Sequence, residues 1–165
     1  MAQSTSGPDA NAAARVLMAC LLTLVSSHSS AGAADREESS QRFELTVRVN
    51  GLSNDKGRVA VALFASAADF PDQKRALAGK LIKIEDKRAR VTFGGLKPGL
   101  YAVAVLHDEN ENAKMDFNFL GMPLEGYGFS NDASGVLGPP SFEAAAFQLK
   151  ARASFVPVTM RYFLP

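Results

Sequence analysis

Residues 42–49 alternate strictly. Phe43, Leu45, Val47 and Val49 are apolar, and Arg42, Glu44, Thr46 and Arg48 are polar. Successive side chains of a strand point to opposite faces, so this period of two predicts a half-buried strand. Residues 51–57 (GLSNDKG) supply turn chemistry, and a second strand follows with Val59, Val61 and Leu63 inward and small Ala60 and Ala62 behind. The short turn predicts that these two strands form a hairpin. Residues 66–79 contain Pro71 and mixed charges and read as a connection. Two further strands are expected at 80–85 (Ile82 and Ile84 inward) and 88–93 (Ala89, Val91 and Phe93 inward), with Asp86-Lys87 as the turn between them.

The Gly94 to Gly99 segment breaks the chain before its most apolar strand, residues 100–107 (LYAVAVLH). Tyr101, Val103 and Val105 share one face of it; Ala102, Ala104 and Leu106 share the other, which predicts a central strand covered on both sides. Residues 108–140 are irregular and rich in glycine and proline. Ser141 can cap a short helix over 142–146, because its hydroxyl can accept an orphan backbone N–H. A last strand covers 154–163, with Val156, Val158, Met160 and Tyr162 alternating. Pro157 cannot donate to a ladder and places that strand at an edge or a bulge. The fold class expected is all-β: an antiparallel β-sandwich of Greek-key, prealbumin-like or Ig-like type, with about seven strands, one long Gly/Pro-rich loop and a short helix.

The N-terminus follows different rules. Residues 16–25 (VLMACLLTLV) form an apolar run behind Arg15, followed by small and polar residues and Ala31-Gly32-Ala33. A cation, a short apolar run and an A-x-A site define a secretory signal peptide, with cleavage expected after Ala33. Ten residues are too few for a helix that crosses a bilayer, which needs about 20. Cys20 has too short an apolar run upstream to serve as a lipidation site. The chain thus divides into a signal peptide (1–33), a polar leader (34–41) and one β domain (42–165). The destination expected is the periplasm or the exterior, with no transmembrane segment in the mature chain.

Composition adds mainly exclusions. Eighteen basic residues against 17 acidic ones give a net charge of +1 over 165 residues, and nucleic-acid binders carry a basic excess instead. A single cysteine excludes a disulfide framework and a thiolate metal cluster. Locally, charge is far from balanced. Residues 108–116 (DENENAKMD) hold four carboxylates and one lysine.

Asp108, Asn110 and Asn112 stand two residues apart, with Asp116 four further on. Oxygens at positions 1, 3, 5 and 9 of a tight loop, with a backbone carbonyl at 7 (here Lys114), are how a chain wraps Ca2+. The candidate metal set is therefore Asp108, Asn110, Asn112, Lys114 and Asp116. Position 6 is Ala113 where a helix-loop-helix site has glycine, and position 12 is Phe119 where it has a bidentate glutamate. Glu109, Glu111 or Glu125 could complete the sphere. The same residues read equally as a solvated loop whose Asp and Asn side chains form turns.

Three segments carry a resemblance. Gly51-Leu52 with its following strand, the run from Gly95 to Asn112 (GLKPGLYAVAVLHDENEN) and that from Leu120 to Asn131 (LGMPLEGYGFSN) resemble a bacterial secreted family, domain of unknown function 2141. The resemblance covers roughly residues 43–162. In that family the loop usually continues N-G-K-x-D, and Ala113 departs from it at the glycine. The family implies a secreted protein and no established activity.

Residues 121–131 (GMPLEGYGFSN) give a second candidate site. Tyr127 and Phe129, with Glu125 nearby, could form a platform for a glycan or peptide partner, or the two rings could plug an end of the sandwich over the cation loop. His107 is the only histidine beyond the signal segment, so it cannot build a His-rich zinc site, and no G-x-S-x-G elbow supports a serine triad. It reads as a capped structural histidine. Lys80, Lys83, Lys87, Arg88 and Arg90 read as the solvated face of one hairpin. The functions left standing are three: a non-enzymatic module with a structural Ca2+ loop, a ligand-binding module built on Tyr127 and Phe129, and a hydrolase using paired carboxylates among Asp108, Glu109, Glu111, Asp116 and Glu125.

Overall fold

The computed structural model describes residues 42–136 and 138–163; the expected signal segment and leader (1–41) lie outside them. The described chain is all-β, with eight strands: β1 (Phe43–Asn50), β2 (Arg58–Phe64), β3 (Ala78–Ile82), β4 (Ala89–Leu96), β5 (Gly99–Asp108), β6 (Gly126–Phe129), β7 (Phe147–Leu149) and β8 (Ala153–Thr159). A one-turn helix, α1 (Phe142–Ala145), precedes β7, and the Ser141 hydroxyl accepts the Ala144 N–H at its start. Among the described residues no helix is long and apolar enough to cross a membrane.

The strands form two sheets. One runs β4-β1-β8; the other runs β3-β2-β5-β6, with β7 on the same edge of β5 as a separate short pairing. One core cluster joins them. It takes Leu45, Val47 and Val49 from β1, Val91 and Phe93 from β4 and Val156 and Val158 from β8, and packs them with Val59, Val61, Leu63, Val103 and Val105 of β2 and β5. These are the inward positions set by the period-two pattern. The opposite face of β2 and β5 is buried too, beneath Phe70, Phe129, Phe142 and Ala145. That second, smaller cluster is why both faces of β5 are apolar.

Two expectations need correction. β1 and β2 are not a hairpin, because they lie in different sheets. Leu52, in the connection, is buried in the main core, so residues 51–57 arch across the end of the core instead of turning back within one sheet. Nor is the pairing wholly antiparallel, since β8 runs parallel to β1, in register from Glu44↔Ala153 to Asn50↔Thr159. β8 is an edge strand, as Pro157 requires. Asp86 and Lys87 do form the tight turn, both with positive φ and closed by the Glu85–Arg88 bridge. The strands on either side then diverge into separate sheets.

The candidate functional site

The loop that follows β5 is anchored by its first residue. Asp108 is buried, and its carboxylate accepts the N–H groups of Asn112 (3.0 Å) and Ala113 (2.8 Å). Asn110 Oδ1 accepts the Asn112 N–H, and Asn112 Oδ1 accepts the Lys114 N–H, so each asparagine closes a turn two residues ahead. Their amide groups both donate to Asp116 Oδ2, at 2.6 and 2.9 Å. Alternate spacing has brought Asn110, Asn112 and Asp116 around one point. Ala113 takes the left-handed region (φ 60°), a conformation that favours glycine.

Glu125 holds the far end of the loop. It is 5% exposed, and its two oxygens accept the N–H groups of Glu109 (3.1 Å) and Asp116 (3.2 Å). Burial pushes its carboxyl above the ordinary glutamate range. The two N–H groups pull it back in part, while the carboxylates of Asp108 and Asp116 add to the rise. Among the described residues no three His, Cys, Asp or Glu side chains gather closely enough to hold a metal ion. A cation at this loop would therefore rest on the Asn110 and Asn112 carbonyl oxygens beside Asp116. Those amides would have to turn over, because they direct their N–H groups at Asp116.

His107, the residue before the loop, is fully buried. Its Nε2 lies 2.9 Å from the Lys56 carbonyl, which can only accept, so Nε2 carries the proton and Nδ1 accepts the Tyr162 hydroxyl at 2.6 Å. The Tyr162 oxygen in turn accepts the Ser53 N–H at 3.0 Å. This chain of contacts ties residues 51–57, β5 and the C-terminal segment together.

Tyr127 and Phe129 lie on β6, where both pack into the second cluster on the outer side of the five-stranded sheet. Phe129 is buried with its ring edge-on to Phe70, and Tyr127 is half-buried against Phe129. Gly126 and Gly128, each just before one of these rings, have a separate cause. A Cβ on Gly126 would collide with the Tyr162 ring, and one on Gly128 would stand 2.7 Å from Val158 Cγ1, so β6 can pass the end of β8 only without side chains there.

The pattern of strands left one surface unread. Phe117, Phe119, Leu120 and Leu124 are all exposed, Phe119 by 94%, at the tip between the two carboxylates Asp116 and Glu125. The signal available in the sequence was the eight-residue run Phe117 to Leu124 (FNFLGMPL), which contains no charge. The tip is well ordered by hydrogen bonds. Asn118 Oδ1 accepts the N–H groups of Leu120 and Met122, and the Asn118 N–H donates to the Met122 carbonyl.

No curated protein and no solved structure matches this chain significantly. A family model described as an uncharacterized protein conserved in bacteria does match, over residues 47–156, which takes in every strand from β2 to β7, the 108–116 loop and the apolar tip. The chain therefore belongs to the bacterial family termed domain of unknown function 2141.

Proposed function

We propose that this protein is an exported, non-enzymatic β-sandwich, periplasmic or extracellular after cleavage near Ala33, whose end loops serve as a rigid mount. Two sheets around one core support the sandwich reading, and the Arg15-to-Ala33 pattern supports export. The observation that carries the non-enzymatic reading is the commitment of the buried polar groups. Among the described residues the buried polar side chains are His107, Asp108, Glu125 and Ser130, and each directs its polar atoms at backbone groups or at Tyr162. Each of these side chains is buried and turned toward those partners, which supports a structural role over that of a general base in reach of substrate. N-terminal sequencing of the exported protein should begin at Ala34. A cytoplasmic chain retaining residues 1–33 would refute export. A hydrolase activity lost in Glu125→Gln while the fold stays intact would refute the non-enzymatic reading.

Within this reading the 108–116 loop is a structural Ca2+ clip. Convergence of Asn110, Asn112 and Asp116 on one point supports it. An entering ion would replace two amide N–H groups as the partners of Asp116 and draw the Lys114 carbonyl in as well. Calcium at 100 times its Kd would stabilise the fold by about 2.7 kcal/mol. Melting curves of the full chain with calcium and with chelator test this, and coincident curves refute the clip.

A further inference from the structure

The outer face of the three-stranded sheet is laid out in cross-strand rows. Thr92, Thr46 and Phe155 form one row, and Arg90, Arg48 and Pro157 form the next. Arg48 and Arg90 are both exposed and stand directly opposite one another in the antiparallel pairing of β1 with β4. Like charges in that relation weaken a strand pair, so the fold by itself gains nothing from having two arginines there. The Arg48 guanidinium lies over the Phe155 ring, 4.2 Å from its centroid. That contact holds the group in place while its N–H donors stay available in its own plane.

Beside the pair is an open groove of about 620 Å³, where β1 ends, β3 ends and β4 begins. Arg48, Arg90, Arg88 and Lys83 line it together with Asn50, against one carboxylate, Glu85. Among the described residues none of those four cations makes a salt bridge. Arg58, Arg75 and Arg161, by contrast, donate to Glu111, to Asp69 and to the Asp132 carbonyl. Four cations facing one carboxylate across a concave surface raise the local concentration of anions. A guanidinium grips two oxygens of a phosphate at once, and a phosphomonoester brings close to two negative charges where a carboxylate brings one. The volume lies in the range of small-molecule pockets, so a phosphate held here has room to arrive on a larger body.

We propose that the opposed Arg48/Arg90 pair, with Arg88 and Lys83, is a binding site for the phosphomonoester group of a larger molecule. A soluble sugar phosphate and a phosphorylated lipid headgroup share that chemistry. The two opposed guanidiniums hold the phosphate oxygens, and Arg88 and Lys83 complete the positive field around it.

Two probes test the site on the full chain: glucose 6-phosphate by titration calorimetry, with glucose as the uncharged control, and phosphatidylcholine vesicles with and without phosphatidic acid by co-sedimentation. Wild type should bind at least one phosphate probe saturably, more weakly as salt rises, and neither uncharged control. Arg90→Gln should weaken that binding about tenfold or more. Because it removes one member of a like-charged pair, it should melt no lower than wild type. Arg48→Lys/Arg90→Lys keeps both charges, loses both forks and should weaken binding to a similar degree. Lys97→Gln makes the same change of charge at the far end of β4 and should bind as wild type does. Binding of glucose 6-phosphate alone assigns the group to a soluble ester, binding of phosphatidic acid alone assigns it to a lipid, and binding of both shows a site that reads the phosphate by itself. Failure of both probes to saturate at millimolar concentration overturns the proposal. So does a loss in Lys97→Gln equal to that in Arg90→Gln, which would reveal attraction by overall charge. Unchanged binding by the double lysine variant overturns it too, and an Arg90→Gln chain that melts below wild type would give Arg90 a structural role instead.

Discussion

Ser130 fills a gap in the sheet. On one side of β5, residues 99–101 pair with β7 and residues 104–107 pair with β6, which leaves Val103 without a strand partner there. The Ser130 hydroxyl accepts the Val103 N–H at 2.9 Å and donates to the Ala145 carbonyl at 2.6 Å, in a fully buried position. Ser130→Ala removes both bonds and admits no solvent to replace them. Each buried backbone group left without a partner costs about 1–3 kcal/mol, so the expected loss is about 3 kcal/mol for the pair. With a urea slope of about 1.5 kcal/mol per molar, the unfolding midpoint should fall by about 2 M at unchanged slope. Ser141→Ala is the control. It removes an exposed helix cap and should cost about 1 kcal/mol. If Ser130→Ala costs no more than that control, the role assigned to Ser130 as a surrogate strand residue is wrong.

Three further outcomes follow from the loop and from β6. Ala113 holds φ 60°, which costs an L-residue about 1–2 kcal/mol, partly offset by the greater unfolded-state freedom of glycine; Ala113→Gly should raise stability by about 0.5–1 kcal/mol in urea titrations, and a loss would contradict the strain. Gly128→Ala brings a methyl group to 2.7 Å from Val158 Cγ1 and 2.9 Å from the Thr159 carbonyl, so it should destabilise by about 1–3 kcal/mol, and a neutral melt would show that β6 can move away. The Glu125 carboxyl has a raised pKa, so the native state binds its proton more tightly than the unfolded chain does. Its contribution is full below about pH 4.5, the ordinary glutamate value, and is lost as pH rises through the folded value. The stability of wild type relative to Glu125→Gln should therefore decline from pH 4 to pH 7, and a difference that grows with pH would reverse the assignment.

The sequence by itself determined the inward face of nearly every long strand. Leu45, Val47, Val49, Val91, Val103, Val105, Val156 and Val158 are core residues because strand geometry turns every second side chain the same way, whatever the partner. The double burial of β5, the Ser141 cap and the edge position of β8 were legible for equally local reasons. Short β6 and β7 were not, because three or four residues carry too little periodicity and β6 interleaves glycine with its aromatics. At the site, the spacing brings Asn110, Asn112 and Asp116 together, while Asp108 turns its carboxylate to the Asn112 and Ala113 N–H groups instead.

Only the tertiary structure decided which strands became neighbours. Alternation specifies a face and leaves the partner open, so β1 could pair in parallel with β8, about a hundred residues away in sequence, instead of with β2. It also decided that Glu125 would close the loop begun at Asp108, and that Phe129 would be core while Phe119 stood in solvent. Those outcomes depend on residues distant in sequence competing for the same space, and that competition is settled only when the two sheets close over their core.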